Sequence, residues 1–165
     1  MRKCDNMRNK NLRKGRCTVF KRKIYSKMQE WKKDSNGKTA LLIEGARRIG
    51  KSTVVEEFAK NEYDSYILID FSRASKETKE LFEDVSDLNF LFLQLQLQFK
   101  VDLQERKSVI IFDEVQLCPA ARQAIKALVA DRRYDYIETG SLISINKNVK
   151  DILIPSEERK ISMYP

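Results

Sequence analysis

Residues 40–53 join an apolar run to the spacing Gly-x-x-x-x-Gly-Lys-Ser. We predict a buried strand over residues 40–44 and a helix over residues 51–61, so the glycine-rich turn lies between a strand and a helix. In such a turn, consecutive backbone N–H groups and the positive end of the helix dipole point at one place, where they bind phosphate. The pattern therefore predicts a phosphate-binding loop, the Walker A motif, in an α/β domain.

The residues of this loop have separate predicted roles. Gly45 and Gly50 allow the backbone to turn tightly. Lys51 reaches the β- and γ-phosphates as a point charge, and the Ser52 hydroxyl is placed to ligate Mg²⁺. The predicted nucleotide-binding residues are Gly45, Ala46, Arg47, Arg48, Ile49, Gly50, Lys51, Ser52 and Thr53.

A second motif follows the most apolar predicted strand, residues 109–112. The strand ends in Asp113-Glu114, and in a parallel sheet a carboxylate at that end lies beside the phosphate-binding loop. We predict that Asp113 holds the Mg²⁺ as in a Walker B motif, and that Glu114 polarises the water that attacks the γ-phosphate. Because the chain contains no histidine, a carboxylate or another weak base must serve here.

A third pattern closes the next predicted strand, residues 134–139, with Thr139-Gly140-Ser141. A hydroxyl at this strand end can sense the γ-phosphate, although an ordinary capped turn accounts for the same residues. With Thr139 included, the candidate catalytic residues are Lys51, Glu114 and Thr139. The candidate metal ligands are Ser52 and Asp113.

The rest of the chain alternates short strands with helices. Helices are predicted over residues 24–33, 77–83 and 119–133, and further strands over residues 66–70 and 159–163. Residues 88–103 fit both periods, because leucine and glutamine alternate within a segment whose apolar residues also share a helical face. We choose helix, since two parallel strands need a crossover there. The fold class that follows is α/β: a three-layer P-loop NTPase domain with a mainly parallel sheet and helices on both faces.

The formal net charge of +8 is carried almost entirely by the first 23 residues, which hold ten of the 32 Lys and Arg residues and one acid, Asp5. We expect residues 1–18 to form a basic, disordered tail and residues 19–165 to form the domain with the phosphate-binding loop. Any nucleic-acid contact would be weak, non-specific and made by the tail. No apolar run approaches the ~20 residues of a membrane span.

The content of cysteine and histidine excludes several classes of site. Cys4, Cys17 and Cys118 show no Cys-x-x-Cys spacing. Without histidine, the common zinc sites are excluded, as is nucleophilic catalysis by a Ser–His or Cys–His pair. Three unpaired thiols are typical of a reduced, cytoplasmic protein, and we expect that location.

Three segments together carry a resemblance to a known family: residues 45–53, Asp113-Glu114-Val115-Gln116, and Glu138-Thr139-Gly140-Ser141. They resemble the AAA-type P-loop ATPases of bacteria and archaea that carry a C-terminal domain of unknown function. The resemblance covers residues 20–165. It implies ATP and Mg²⁺ as ligands, a Thr139 strand between the phosphate-loop strand and the Asp113 strand, and Gln116 in a loop that faces the nucleotide. It leaves open a homo-oligomer or a protein partner.

The resemblance also implies a second domain after the fifth strand, and we expect that domain to be absent from this sequence, which ends at Pro165. Such ATPases use an arginine that acts between subunits, for which Arg159 is the best candidate here. Arg132 and Arg133 fit a solvated helix end better.

The function predicted from these patterns is Mg²⁺-dependent ATP binding, with hydrolysis that is slow in isolation. Two alternatives stay open. One is a non-catalytic nucleotide switch or truncated remnant that recruits a partner. The other is a small-molecule kinase, which Glu114 directly after Asp113 disfavours because it suits an attacking water.

Overall fold

The computed structural model of the protein describes residues 23–141 and 158–164. The expectations for the tail at residues 1–18, with Cys4 and Cys17, lie outside the described residues.

Helices and strands alternate through the described chain. The helices are α1 (Lys23–Ser35), α2 (Lys51–Glu62), α3 (Lys76–Glu80), α4 (Leu88–Phe99) and α5 (Pro119–Asp131). The strands are β1 (Ala40–Gly45), β2 (Ser65–Asp70), β3 (Ser108–Asp113), β4 (Asp135–Ser141) and β5 (Glu158–Met163), and a short 3₁₀ turn spans Val115–Leu117. Predicted boundaries differ by a few residues: β4 continues through Ser141, and α3 ends at Glu80 because Leu81 closes it as the C-cap.

The described strands form one sheet in the order β2-β3-β4-β1-β5, and every pair in it is parallel. The α/β fold class is therefore confirmed, as are the fifth strand and the position of β4 between β1 and β3. Because all strands point the same way, the carboxyl ends of β1, β3 and β4 meet at one edge. That edge carries the ends of all three sequence motifs.

Side chains alternate between the two faces of the sheet. One face packs on α1 and α2, with Trp31, Phe58 and Ile137 among its buried residues. The other packs on α4 and α5, through residues such as Phe92 and Ile125. The three-layer arrangement of the prediction is thus the observed one.

The segment that fits both periods, residues 88–103, contains the helix α4, which confirms the prediction of a helix there. The Asp87 side chain accepts a hydrogen bond from the N–H of Phe90 and caps the first turn. At the other end Lys100 adopts a left-handed conformation, which terminates the helix. Leu91 and Leu95 are buried on the sheet, whereas Leu93 remains exposed, as helical periodicity and not strand alternation requires.

Candidate functional site

The loop between β1 and α2 is shaped by two glycines with different roles. Gly50 ends the loop as the N-cap of α2 with a φ of +85°. Glycine adopts this left-handed conformation without the steric cost that a Cβ would add. At Gly45 the reason is space, because a Cβ there would lie 2.5 Å from the carbonyl oxygen of Met163 in β5. Arg48 also adopts a left-handed conformation, with φ of +62°. The loop is therefore held in one strained, tight shape.

The side chain of Lys51 folds back along this loop. Its ammonium donates hydrogen bonds to the carbonyl oxygens of Gly45, at 3.1 Å, and Ala46, at 2.8 Å. Lys51 is 4% exposed. Burial lowers its pKa, and the negative charges of Glu114 and Asp113 oppose part of that effect. The loop thus keeps one cation at the edge of the sheet where Asp113 ends β3 and Glu114 follows it.

Three side chains that are distant in sequence meet at the carboxyl edge of the sheet, and we call Ser52, Asp113 and Thr139 the Asp113 cluster. The Ser52 hydroxyl donates to Oδ1 of Asp113 at 2.8 Å. Thr139 donates from its own hydroxyl to the same oxygen. Asp113 is 8% exposed, and Oδ1 accepts both bonds from neutral groups. The three predicted residues are brought together by β3, β4 and the first turn of α2.

Glu114 lies next to this cluster in an unusual backbone conformation. Its φ is +53°, in the left-handed region, and it begins the 3₁₀ turn that follows β3. The Glu114 N–H donates to the Thr139 hydroxyl oxygen at 3.3 Å. Its carboxylate accepts a hydrogen bond from Nε2 of Gln116 through Oε2. Glu114, Asp113 and Thr139 are therefore one connected network, in which the two acids have different partners.

The remaining predicted residues occupy several places. Ala46, Arg47, Arg48 and Thr53 are exposed, while Ile49 and Gly50 are half-buried. Arg159 forms an ion pair with Asp34 at 3.3 Å. It is aligned with Leu41, four residues before the Gly45–Met163 pair, so it lies away from the carboxyl edge of its own chain. Its predicted role between subunits stays a prediction.

A second polar group was missed by sequence reasoning, and we call Arg122, Glu138 and Glu158 the Arg122 cluster. The Arg122 guanidinium donates to Glu138 Oε2 at 3.1 Å and to Glu158 Oε2 at 2.8 Å. All three side chains are at most 1% exposed. The sequence holds one sign of this cluster, because Glu138 is a charged residue within a predicted buried strand. No spacing pattern connects it to Arg122 or Glu158.

Burial governs the protonation of this second cluster. It raises the pKa of Glu138 to about 8, against the opposing charge of Arg122. The pKa of Glu158 is raised for the same reason. One guanidinium faces two carboxylates, so the cluster has an excess of acid and tends to retain a proton.

The residues present fit a Mg²⁺ ion. Magnesium prefers oxygen ligands and is usually bound by one or two carboxylates or hydroxyls, with phosphate oxygens and water completing the shell. Ser52 and Asp113 supply that partial set, with their oxygens 2.8 Å apart. Within the described residues, no three His, Cys, Asp or Glu side chains come together as an all-protein metal site. The donor set therefore suits a metal shared with a phosphorylated ligand.

A parallel α/β sheet with a phosphate-loop connection after β1 and an acid at the end of β3 defines the class of P-loop NTPase-like domains. The model of the AAA domain family matches residues 37–165. The chain therefore belongs to the AAA domain family.

Solved structures also match the chain. The chain is similar to a structure titled "Structure of C. elegans PCH-2", with a TM-score of 0.45 and 14% sequence identity. That match covers 86% of this chain and 42% of the other chain. No curated protein sequence matches the chain. None of the helices in the described part of the chain is long and apolar enough to cross a lipid bilayer.

Proposed function

We propose that this AAA-type domain binds ATP with Mg²⁺ and hydrolyses it to ADP and phosphate. The observation that carries the proposal is the Asp113 cluster, in which the first helical turn after the loop, the end of β3 and the end of β4 converge on one carboxylate oxygen. Three polar side chains that meet at the carboxyl edge of a parallel sheet, beside the phosphate-binding loop, suit a metal–phosphate ligand.

Phosphate binding is proposed for residues 45–53. The first turn of α2 begins at Lys51 with no side chain capping it, so its N–H groups are available to an anion. The Lys51 ammonium uses two of its three donors on loop carbonyls that face the same region. An incoming phosphate would offer it a full negative charge in place of these neutral acceptors, a stronger partner. Arg47 and Arg48 add positive charge on the exposed side of the loop.

Metal binding is proposed for Ser52 and Asp113. A Mg²⁺ ion held there would neutralise charge on the phosphates during the reaction. Oδ1 of Asp113 accepts hydrogen bonds from two hydroxyls, which orient its carboxylate toward the loop. Thr139 thereby helps to orient Asp113, the proposed metal ligand. Its hydroxyl oxygen also accepts a hydrogen bond from the N–H of Glu114 at 3.3 Å.

Hydrolysis is proposed to use Glu114 as the base that accepts a proton from the attacking water. It follows Asp113 directly, and the left-handed backbone at Glu114 turns its side chain out of the strand. Phosphoryl transfer depends on positioning and charge, and a site without an arginine from a neighbouring subunit is slower by about 10³–10⁵-fold. We therefore propose slow turnover in the isolated chain, and a homo-oligomer or protein partner that accelerates it.

The basic segment at residues 1–18 is proposed to act apart from this site. It carries most of the excess positive charge, so weak and salt-sensitive contact with nucleic acid is its expected property. A cytoplasmic location suits a nucleotide-dependent domain of this kind.

The test is ATP turnover in Mg²⁺ by the parent protein, by Glu114→Gln and by Glu105→Gln. Glu105 is exposed and precedes β3, at the opposite edge of the sheet, so it is a matched control. We expect turnover in the parent and the control, and a loss of at least about 100-fold in Glu114→Gln with ATP affinity kept. Binding without turnover in the parent would favour the nucleotide switch. Equal turnover in all three proteins would overturn the role of Glu114.

A further inference from the structure

Within the part of the chain that the structure describes, the side chain of Gln116 makes one hydrogen bond, and its partner is the proposed base, Glu114. Gln116 lies in the 3₁₀ turn after β3, two residues beyond Glu114, and is 4% exposed. Its Nε2 donates to Oε2 of Glu114. The neighbouring Val115 is completely buried, so the turn is fixed to the core at that residue.

The orientation of the Gln116 amide is determined by its neighbour. If the amide were rotated by 180°, its oxygen would face the Glu114 carboxylate and two acceptors would meet without a proton. The observed orientation leaves Oε1 of Gln116 buried, with no partner among the described residues. An unsatisfied buried acceptor destabilises the folded state, because it has lost its hydrogen bonds to water.

Packing alone does not account for a glutamine at this position. An apolar side chain of the same length would fill the space without an unsatisfied oxygen. Among the described residues, the side chain of Gln116 has one polar contact, the bond to Glu114, so the glutamine is explained by what it does for that carboxylate. An unsatisfied buried group in a folded protein needs an explanation, and a role at the site supplies one here.

We propose that Gln116 is a positioning residue for the hydrolytic step, an inference that rests on the proposed function. By binding Oε2, it fixes the Glu114 carboxylate and leaves Oε1 as the oxygen that accepts the proton. The water oxygen forms the new bond to the γ-phosphorus as the bond to the bridging oxygen of ADP breaks. The proton released by the water passes to Oε1 of Glu114 and afterwards to solvent or to the phosphate product.

The test compares steady-state ATP hydrolysis in Mg²⁺ for the parent, Gln116→Met and Gln104→Met. Methionine has a similar length and no polar atom, and Gln104 is exposed at the opposite edge of the sheet. We expect kcat to fall about 10- to 100-fold in Gln116→Met, because the base is no longer held in its reactive geometry. ATP affinity should stay within about twofold, and the unfolding midpoint should be equal or higher because the buried acceptor is gone.

A double variant separates positioning from a merely structural role. Adding Gln116→Met to Glu114→Gln should cause no further loss of turnover, since the group that Gln116 positions is already changed. Should Gln116→Met fail to fold, Gln116→Asn replaces it, because its amide is one methylene too short to reach Glu114, and the same fall in kcat is expected.

The outcomes distinguish this inference from the proposed function. If the parent hydrolyses ATP and Glu114→Gln does not, but Gln116→Met and Gln116→Asn keep the parental kcat, the inference alone is wrong. It is also wrong if affinity and stability fall in parallel with kcat. A parent that binds ATP without turnover would overturn both the hydrolytic function and this inference.

Discussion

Glu138 and Thr139 are consecutive residues of β4, yet they face opposite sides of the sheet and belong to different polar clusters. Thr139 joins the Asp113 cluster, where one carboxylate is held by neutral hydroxyls at the carboxyl edge. Glu138 joins the Arg122 cluster, where charged groups are paired beneath α5. Both clusters are buried, but only the first has a sequence motif.

The difference lies in how each cluster balances charge. In the Asp113 cluster the bonds to the Asp113 carboxylate come from hydroxyls, which cannot neutralise it, and Lys51 is one cation facing two carboxylates, Asp113 and Glu114. In the Arg122 cluster the protein supplies the cation itself, and the three side chains satisfy one another in part. A polar cluster that leaves charge uncompensated at an edge suits a ligand, whereas one that compensates its charge internally suits the fold.

The largest expected effect is the loss of stability when the Arg122 cluster is broken. Arg122→Met leaves the buried acids Glu138 and Glu158 without the cation that faces them, and breaking a buried pair in this way costs about 3–5 kcal/mol. We expect the free energy of unfolding, measured with urea at pH 7, to fall by that amount. Adding Glu138→Gln and Glu158→Gln should restore much of it. A loss below about 1 kcal/mol for Arg122→Met would mean that the pairs contribute little.

The same cluster should make stability depend on pH. The pKa of Glu138 is raised by burial from 4.5 to about 8, so the folded protein retains a proton that the unfolded chain releases. The contribution of Glu138 to stability is therefore fully present below pH 4.5 and is lost as pH rises toward 8, by an amount on the order of a few kcal/mol. In Glu138→Gln this dependence should flatten. A parent whose urea midpoint rises between pH 5 and pH 8 would contradict the prediction.

A smaller effect is expected at the Asp113 cluster. Thr139→Val keeps the shape of the side chain and removes one donor to Asp113, which costs about 0.5–1.5 kcal/mol of stability. ATP turnover should fall by more than that change in stability implies, because Thr139 also contacts Glu114. Thermal unfolding and turnover of Thr139→Val measure the two effects separately. If turnover were unchanged, Thr139 would be an ordinary capping residue of the strand end.

Sequence patterns were sufficient for the Asp113 cluster, since each of its residues follows a recognisable strand end or loop. The position of β4 between β1 and β3 came from the family resemblance alone, because strand order is not encoded in local periodicity. The Arg122 cluster could not be predicted, as the spacing between Arg122 and Glu158 carries no pattern. The lack of space for a Cβ at Gly45 depends on where β5 packs, which only the tertiary structure shows.

The contact of Gln116 was only partly foreseen. The resemblance placed it in a loop facing the nucleotide, but a donor–acceptor pair two residues apart depends on the left-handed backbone at Glu114. A non-glycine residue in that conformation is uncommon and is not signalled by composition. Such features are visible only in the three-dimensional structure.

The measurement that tests the central claim most directly is calorimetric titration of ATP with Mg²⁺ into the parent, Lys51→Ala and Lys38→Ala. Lys38 is exposed just before β1, at the far edge of the sheet, and serves as the control. We expect binding to the parent and to Lys38→Ala with equal affinity, and a loss of at least about 100-fold, or roughly 2.7 kcal/mol, in a folded Lys51→Ala. Equal ATP affinity in all three proteins would contradict the claim that residues 45–53 form the nucleotide site.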